Sequence, residues 1–258
     1  MVLWISGSEG CAVCLRQEIH DQGQFLFRWR SYFPLFFIGF MVLVILLHTA
    51  EREAIGSTTY RALICLFLSL AGQAVRIYTV GHVPGRTSGR NTKKQLADKL
   101  NTTGLYSVIR HPLYLGNFIM GLGIVLYTGI WWMSAVYTLS FYLYYERIMV
   151  AEEEFLRNRF GSDFERWSKK TPAFIPRLKG FQKPRLSFCL RTVLKREYPG
   201  FLAILLLFAL LDAVMNFTDG RVLYVHPLWL SLLPGGAVVY LVLRTLKRRT
   251  RILHVSGR

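Results

Sequence analysis

Residues 100–116 read LNTTGLYSVIRHPLYLG, and the rest of the chain falls into place around them. Tyr106, Arg110, His111 and Tyr114 stand within nine residues, between a basic polar segment and a strongly apolar run. A second polar cluster, Glu152, Glu153 and Glu154, follows the next apolar run. Two polar knots joined by a hydrophobic hairpin point to a site at a membrane surface, because ionisable groups beside apolar spans are costly unless they serve one another or a ligand.

The whole chain agrees with that setting. Of its 258 residues 52% are hydrophobic and 14% aromatic, and the apolar ones gather into runs of roughly membrane-spanning length, as in an integral membrane protein. The formal charge of +17 would suit nucleic acid, but the Lys and Arg residues lie in loops between apolar runs. That placement favours anionic lipid headgroups and membrane topology over nucleic acid. Of the four cysteines only Cys11 and Cys14 form a recognisable spacing. One CxxC with His20 nearby lacks the second ligand pair of a structural zinc site, so free thiols and no metal are expected. No basic n-region followed by an apolar core opens the chain, so the first span is expected to act as its own insertion signal.

An all-α polytopic membrane protein with about six transmembrane helices follows, divided in order. Residues 1–30 form a polar cytosolic segment ending in Arg28, Trp29 and Arg30, a set suited to a membrane interface. Residues 31–80 hold the first two spans, near 32–50 and 60–80, linked through Glu51, Arg52 and Glu53. Residues 81–177 form the core. It comprises a basic loop with Arg86, Arg90, Lys93, Lys94 and Lys99, with room for a short helix over 92–100, then spans near 112–127 and 131–150. The fourth helix is expected to continue to Arg159, since no Gly or Pro interrupts it before Gly161. Pro112 belongs in the first turn of the third span, where its missing N–H is harmless and His111 is held extended. Thr128, Gly129 and Ile130 make a tight hairpin turn, and Gly116, Met120 and Gly123 share a face on which the third and fourth spans could approach closely. Residues 178–198 are a basic connector, either an interfacial helix or a solvated link, and 199–258 carry a last hairpin, spans near 200–217 and 228–243, with a basic tail. Six spans put nearly all Lys and Arg on one side, which the positive-inside rule makes cytoplasmic, with both termini.

The knots offer an Arg, a His, two Tyr and at least two carboxylates at the mouth of one helical hairpin. A zwitterionic cofactor such as S-adenosylmethionine would use them well. Arg110 or His111 would take its carboxylate, Glu152 or Glu153 its ammonium or ribose, and Tyr106 or Tyr114 its adenine or sulfonium. The plainer reading has Arg110 on lipid phosphate and the glutamates on a solvated helix face.

The segment TGLYSVIRHPLYLG, a hairpin, and then EEEFLRNRFGSDFERWSKKTPAFIP resembles the isoprenylcysteine carboxyl methyltransferase and phospholipid methyltransferase superfamily over residues 98–177. The resemblance implies an integral membrane methyltransferase using S-adenosylmethionine. By position it implies a cofactor pocket lined by Leu100, Asn101, Tyr106, His111, Pro112, Leu113, Tyr114, Glu152 and Glu153. In the family's carboxyl methyltransferases an arginine one turn before the first of those glutamates contacts the acceptor. Here that position is Ile148 with Arg147 beside it, so either Arg147 takes the role in a shifted geometry or the acceptor is no prenylcysteine carboxylate.

The expected acceptor is a membrane lipid or lipidated substrate with an anionic phosphate or carboxylate oxygen, deprotonated near neutral pH and needing no base. An amine acceptor, as in phospholipid N-methylation, would need one, and Glu146 is the candidate. Arg110, Glu146 and Arg147 are thus the residues expected at the reacting centre. The rival readings are a sterol-reductase-like NADPH enzyme, against which the intact RHPLYLG argues, and a non-enzymatic lipid-binding protein that kept the fold. Oligomeric state is not legible in the sequence.

Overall fold

Pro112 sits at the first position of a helix, preceded by His111 in an extended conformation (φ −121°, ψ 61°), as the local sequence requires. The computed structural model describes residues 6–47, 58–85, 87, 97–218 and 224–258, with side chains in the first helix from residue 17 on. Its elements are α1 (Ser6–Trp29), α2 (Phe33–Leu47), α3 (Thr58–Gly81), a single 3-10 turn (Leu105–Ser107), α4 (Pro112–Tyr127), α5 (Trp131–Phe160), α6 (Ser162–Ser168), α7 (Leu190–Thr218) and α8 (Pro227–Arg249). Among the described residues there is no strand, and the fold is all-α and polytopic.

Each of the six stretches read as spans is helical over its described residues, apart from a residue or two at the ends. Three of them, 59–81, 190–218 and 227–249, are long and apolar enough by composition to cross a membrane, and α4 is a shorter apolar helix. Helices α1 and α2 together would make a fourth crossing segment, but they meet at a bend of 78°. Helix α5 adds to its apolar first half a second half carrying Glu146, Arg147 and Glu152–Glu154, which is why it runs 30 residues without reading as a span. The polar segment 1–30, to which the sequence assigns no particular element, contains α1. Helix α1 lies along α5, where Gly23 presses so closely that a Cβ there would come 2.2 Å from the Arg147 carbonyl oxygen. The cysteine pair Cys11 and Cys14, the link at 51–53, most of the basic loop and the 219–223 turn fall outside the described side chains.

The α4–α5 turn forms as its sequence predicts. Gly129 takes φ +73°, a region open to glycine without strain, and the Thr128 hydroxyl donates to the Val125 carbonyl at 2.8 Å. The glycine face of α4, however, packs on α3 rather than α5. A Cβ on Gly72 would lie 2.5 Å from the Met120 nitrogen and 2.6 Å from the Gly116 oxygen, and one on Gly123 2.6 Å from the Cys65 oxygen. Small residues facing one another let the two backbones touch, and Ser69 donates to the Met120 carbonyl at 2.8 Å across the same seam. Helix α5 meets α4 through larger groups, with the Tyr137 hydroxyl over Gly121.

Helix α7 runs unbroken from Leu190, so the last part of the stretch read as connector, 190–198, and the fifth span form one 29-residue helix with Pro199 inside it, while 178–189 is not helical. A proline in such a helix loses one backbone bond that neighbouring groups can make good. The α7–α8 hairpin is pinned to the end of α4 by buried Asp212, which accepts from the Tyr127 hydroxyl at 2.6 Å, the His226 N–H at 2.6 Å and Asn216 at 3.2 Å. Trp229 donates to the Tyr127 oxygen at 3.2 Å and stacks on Phe208. Every polar group of that pin is paired, the condition for burying it at all.

Candidate functional site

After α6 the chain turns back over the residues that precede α4. The Arg110 and His111 N–H groups donate to the carbonyls of Pro172 (2.9 Å) and Ala173 (3.2 Å), and Arg177 N donates to the Val108 carbonyl at 3.0 Å. Gly104 and Gln182 pair at 2.9 Å, and Trp167 donates to the Tyr106 carbonyl at 2.8 Å. The backbone on both sides of Arg110 and His111 is therefore held by the TPAFIP stretch. Phe174 inserts against Phe118 and Phe141 and ties that stretch to the helical core.

On α5, Tyr145 and Glu152 lie two turns apart and face the same way. Glu152 meets the residues of the first knot. The Tyr114 hydroxyl donates to its Oε1 at 2.7 Å, His111 Nδ1 stands 3.6 Å from Oε2, and Arg30, from the bend between α1 and α2, approaches at 3.5 Å. Glu153 takes His111 Nε2 at 3.0 Å and pairs with Arg110. His111 is nearly buried. Burial alone would lower its pKa, but hydrogen bonds to Glu152 and Glu153 and their charge outweigh this and raise it, favouring the imidazolium. Burial, with the charge of Glu152 second, pushes the Tyr106 phenol up, so it stays protonated.

These residues line a cavity of about 830 Å³ that runs between α2, α4, α5 and α7. Its polar end is walled by Lys99, Leu100, Asn101, Tyr106, Arg110, His111, Leu113, Tyr114, Glu152 and Trp167. The other end is apolar, with Phe33, Phe37 and Met41 from α2, Ile124 from α4, Phe141 from α5 and Leu207 from α7. Along α4 the lining passes from Tyr114 through Asn117 to Ile124, and Arg76, bonded to Asn117 and Glu197, stands beside the middle of that run.

The fold thus gathers eight of the predicted residues on one wall: Leu100, Asn101, Tyr106, Arg110, His111, Leu113, Tyr114 and Glu152. Pro112 is buried at the start of α4, and Glu153 lies behind the wall, holding Arg110 and His111. Glu146 and Arg147 stand elsewhere. The Tyr142 hydroxyl donates to Glu146 at 3.2 Å, and Arg147 donates to Gln22 of α1 at 2.8 Å. The reason is helical phase, because positions 145, 148, 149 and 152 face inward and 146 and 147 do not. The cavity residues not foreseen are Arg30, Arg76, Asn117, Trp167, Arg196 and Glu197. Arg76 did leave a signal, a lone charge near the end of an apolar run, whereas Glu197 sits beside Lys195 and Arg196 and reads as part of a basic stretch.

Residues 60–163 match the phospholipid methyltransferase family. The chain is 36% identical over 115 residues to the cobalt-zinc-cadmium resistance protein CzcN of Cupriavidus metallidurans, covering 44% of this chain and 50% of that protein. It is 34% identical over 107 residues to the nickel-cobalt-cadmium resistance protein NccN of Alcaligenes xylosoxydans xylosoxydans, covering 42% and 46%. It is 32% identical over 85 residues to the protein-S-isoprenylcysteine O-methyltransferase of Schizosaccharomyces pombe, covering 33% and 36%. The chain spans at most half the length of these curated relatives, and no solved structure matches it. The family match spans the hairpin and both polar knots, and in that stretch the chain is similar to the phospholipid methyltransferases, with isoprenylcysteine methyltransferases among its relatives.

Proposed function

We propose that this protein is an integral membrane methyltransferase that uses S-adenosylmethionine and methylates a membrane-embedded lipid or lipidated acceptor at an anionic oxygen, phosphate or carboxylate. The observation that carries the reading is a buried donor at the polar end of the cavity. Arg110 Nε finds no partner among the described residues, although Arg110 lines the wall beside His111 and Glu152. A buried guanidinium N–H left unpaired costs about 1–3 kcal/mol, a penalty that a ligand carboxylate would remove.

The remaining donor set fits the same ligand. Glu152 suits an ammonium, while Tyr106 and Trp167 offer aromatic surface for a purine, with Leu100 and Asn101 at its edge. Glu153 fixes Arg110 and His111 from behind, and the Tyr114 hydroxyl fixes Glu152. When bound, the cofactor supplies a methyl group activated on a sulfonium. The protein's part is alignment and a water-poor chamber, and an acceptor oxygen already ionised near neutral pH requires no base from the chain. The lining carries Arg30, Arg76, Lys99, Arg110 and Arg196 against Glu152 and Glu197, and this cationic surplus supports an anionic acceptor. Ile148, where the family's carboxyl methyltransferases carry their acceptor arginine, is completely buried, and Arg147 is bound to Gln22. The acceptor anion is therefore to be held by some other residue.

Calorimetry on the purified protein tests the first half. Wild type should bind S-adenosylmethionine, and Glu152→Ala and His111→Ala should each weaken that binding about tenfold or more, the loss of one charge-assisted hydrogen bond. No binding by a folded wild type refutes the proposal. Transfer of labelled methyl into total membrane lipid, run beside a prenylcysteine analogue, tests the acceptor. Label in the lipid alone excludes carboxyl methylation of prenylcysteine.

A further inference from the structure

Halfway along the cavity, where its polar end gives way to the apolar one, α3 and α7 face each other through a buried charge pair. Arg76 donates to Glu197 from both Nε and Nη2 at 2.9 Å, and from Nη1 to Asn117 at 2.7 Å. Gln73 Nε2 donates to the same Glu197 carboxylate at 3.0 Å. Glu197 is only 4% exposed, while the Arg76 side chain keeps 18% of its surface and lines the cavity.

We propose that Arg76 holds the anionic head group of the acceptor lipid and that Glu197 is its built-in counter-ion, replaced on Arg76 by the incoming anion. This rests on the anionic-acceptor reading above and assigns it residues. A buried pair of this kind adds little to stability over an apolar pair of equal volume, so stability alone does not account for it. A guanidinium has five N–H groups, of which these bonds use three, leaving two for an arriving phosphate or carboxylate before the exchange is complete. Gln73 keeps a donor on Glu197 when Arg76 turns to the ligand, so the displaced carboxylate is not stranded. The position suits an acceptor. Polar cavity wall lies on one side for the methyl donor and apolar wall on the other for an acyl or prenyl chain. Glu197 also stands outside residues 60–163, beyond the stretch that matches the family. It is a specificity-determining residue, and its exchange sets how much the anion must offer to enter.

The test is direct lipid binding in neutral detergent by native mass spectrometry, with phosphatidic acid and oleate as the phosphate and carboxylate probes and phosphatidylcholine as reference. Wild type, Arg76→Gln, Glu197→Gln and the double variant are compared, and calorimetry with S-adenosylmethionine is run on each. Glu197→Gln removes the competitor and should bind an anionic probe about tenfold tighter, while Arg76→Gln should bind it about tenfold more weakly, one charge-assisted hydrogen bond either way. The double variant removes both charges together and leaves two amides that can hydrogen-bond, so it should fold, bind the cofactor as wild type does, and lose its preference for the anionic probes over phosphatidylcholine. A folded double variant that keeps that preference overturns the proposal and leaves the pair a structural strut. Unchanged anionic lipid affinity in a folded Glu197→Gln does the same. A wild type that binds phosphatidic acid through Arg76 but not S-adenosylmethionine would instead overturn the methyltransferase reading and leave this site standing.

Discussion

Replacing Gly72 by alanine probes the seam that holds the site together. The added Cβ would lie 2.5 Å from the Met120 nitrogen and 2.6 Å from the Gly116 oxygen, both backbone atoms of α4 that no rotamer can move aside. Ordinary contact begins near 3.4 Å, so α3 and α4 must part by roughly 0.9 Å. Overpacking of that kind costs about 1–3 kcal/mol, and the unyielding backbone puts this case at the upper end. Alanine returns about 1 kcal/mol through its better helix propensity. The net loss is then about 2 kcal/mol, or roughly 4–8 °C in melting temperature for a chain of this size unfolding as one unit. Gly39 of α2 is the control, because a Cβ there meets nothing within 4 Å and Gly39→Ala should be neutral or slightly stabilising. The functional echo is specific. Arg76 lies one turn from Gly72 and Asn117 is next to Gly116, so parting the helices stretches the 2.7 Å Arg76–Asn117 bond while the Glu152, His111 and Tyr114 contacts between α4 and α5 stay put. Thermal unfolding in detergent, with lipid and S-adenosylmethionine binding on the same samples, reads both effects. A Gly72→Ala variant that melts with Gly39→Ala would show that the two backbones are not in contact.

Two further outcomes follow from the polar groups. His111 has its folded pKa raised above 6.5 by Glu152 and Glu153, so its contribution to stability is fully present below about pH 6.5 and is lost as pH rises through the raised value. The stability difference between wild type and His111→Gln, followed by thermal melts across pH, should therefore be largest in mild acid and shrink toward alkaline pH; a difference growing with pH refutes the carboxylate clamp. Asp212→Ala strands the Tyr127 hydroxyl and the His226 N–H at the pin of the α7–α8 hairpin and should cost about 3–5 kcal/mol in thermal unfolding, whereas Asp212→Asn, which keeps one acceptor, should cost less.

The sequence by itself determined most of the helices and half of the candidate site, though not α1 or the early start of α7. Apolar runs bounded by Gly, Pro and charge mark helices because those signals act within a few residues, and so Pro112 at the start of α4, the turn at Gly129 and the 30-residue reach of α5 were all legible. The wall from Leu100 to Tyr114 was legible for the same reason, its groups being neighbours in the chain. Pairing between distant helices was not. The glycine face of α4 could be seen, but whether α3 or α5 filled it depends on backbone approach across 44 residues, from Gly72 to Gly116. Phase decided the rest. Glu146 and Arg147 share a helix with Glu152, yet Glu146 pairs with Tyr142 of the same helix and Arg147 with Gln22 of α1, while Arg76 and Glu197, 121 residues apart, meet inside the cavity. Only tertiary structure decides such contacts, because burial makes a lone charge find its partner in space, wherever that partner lies along the chain.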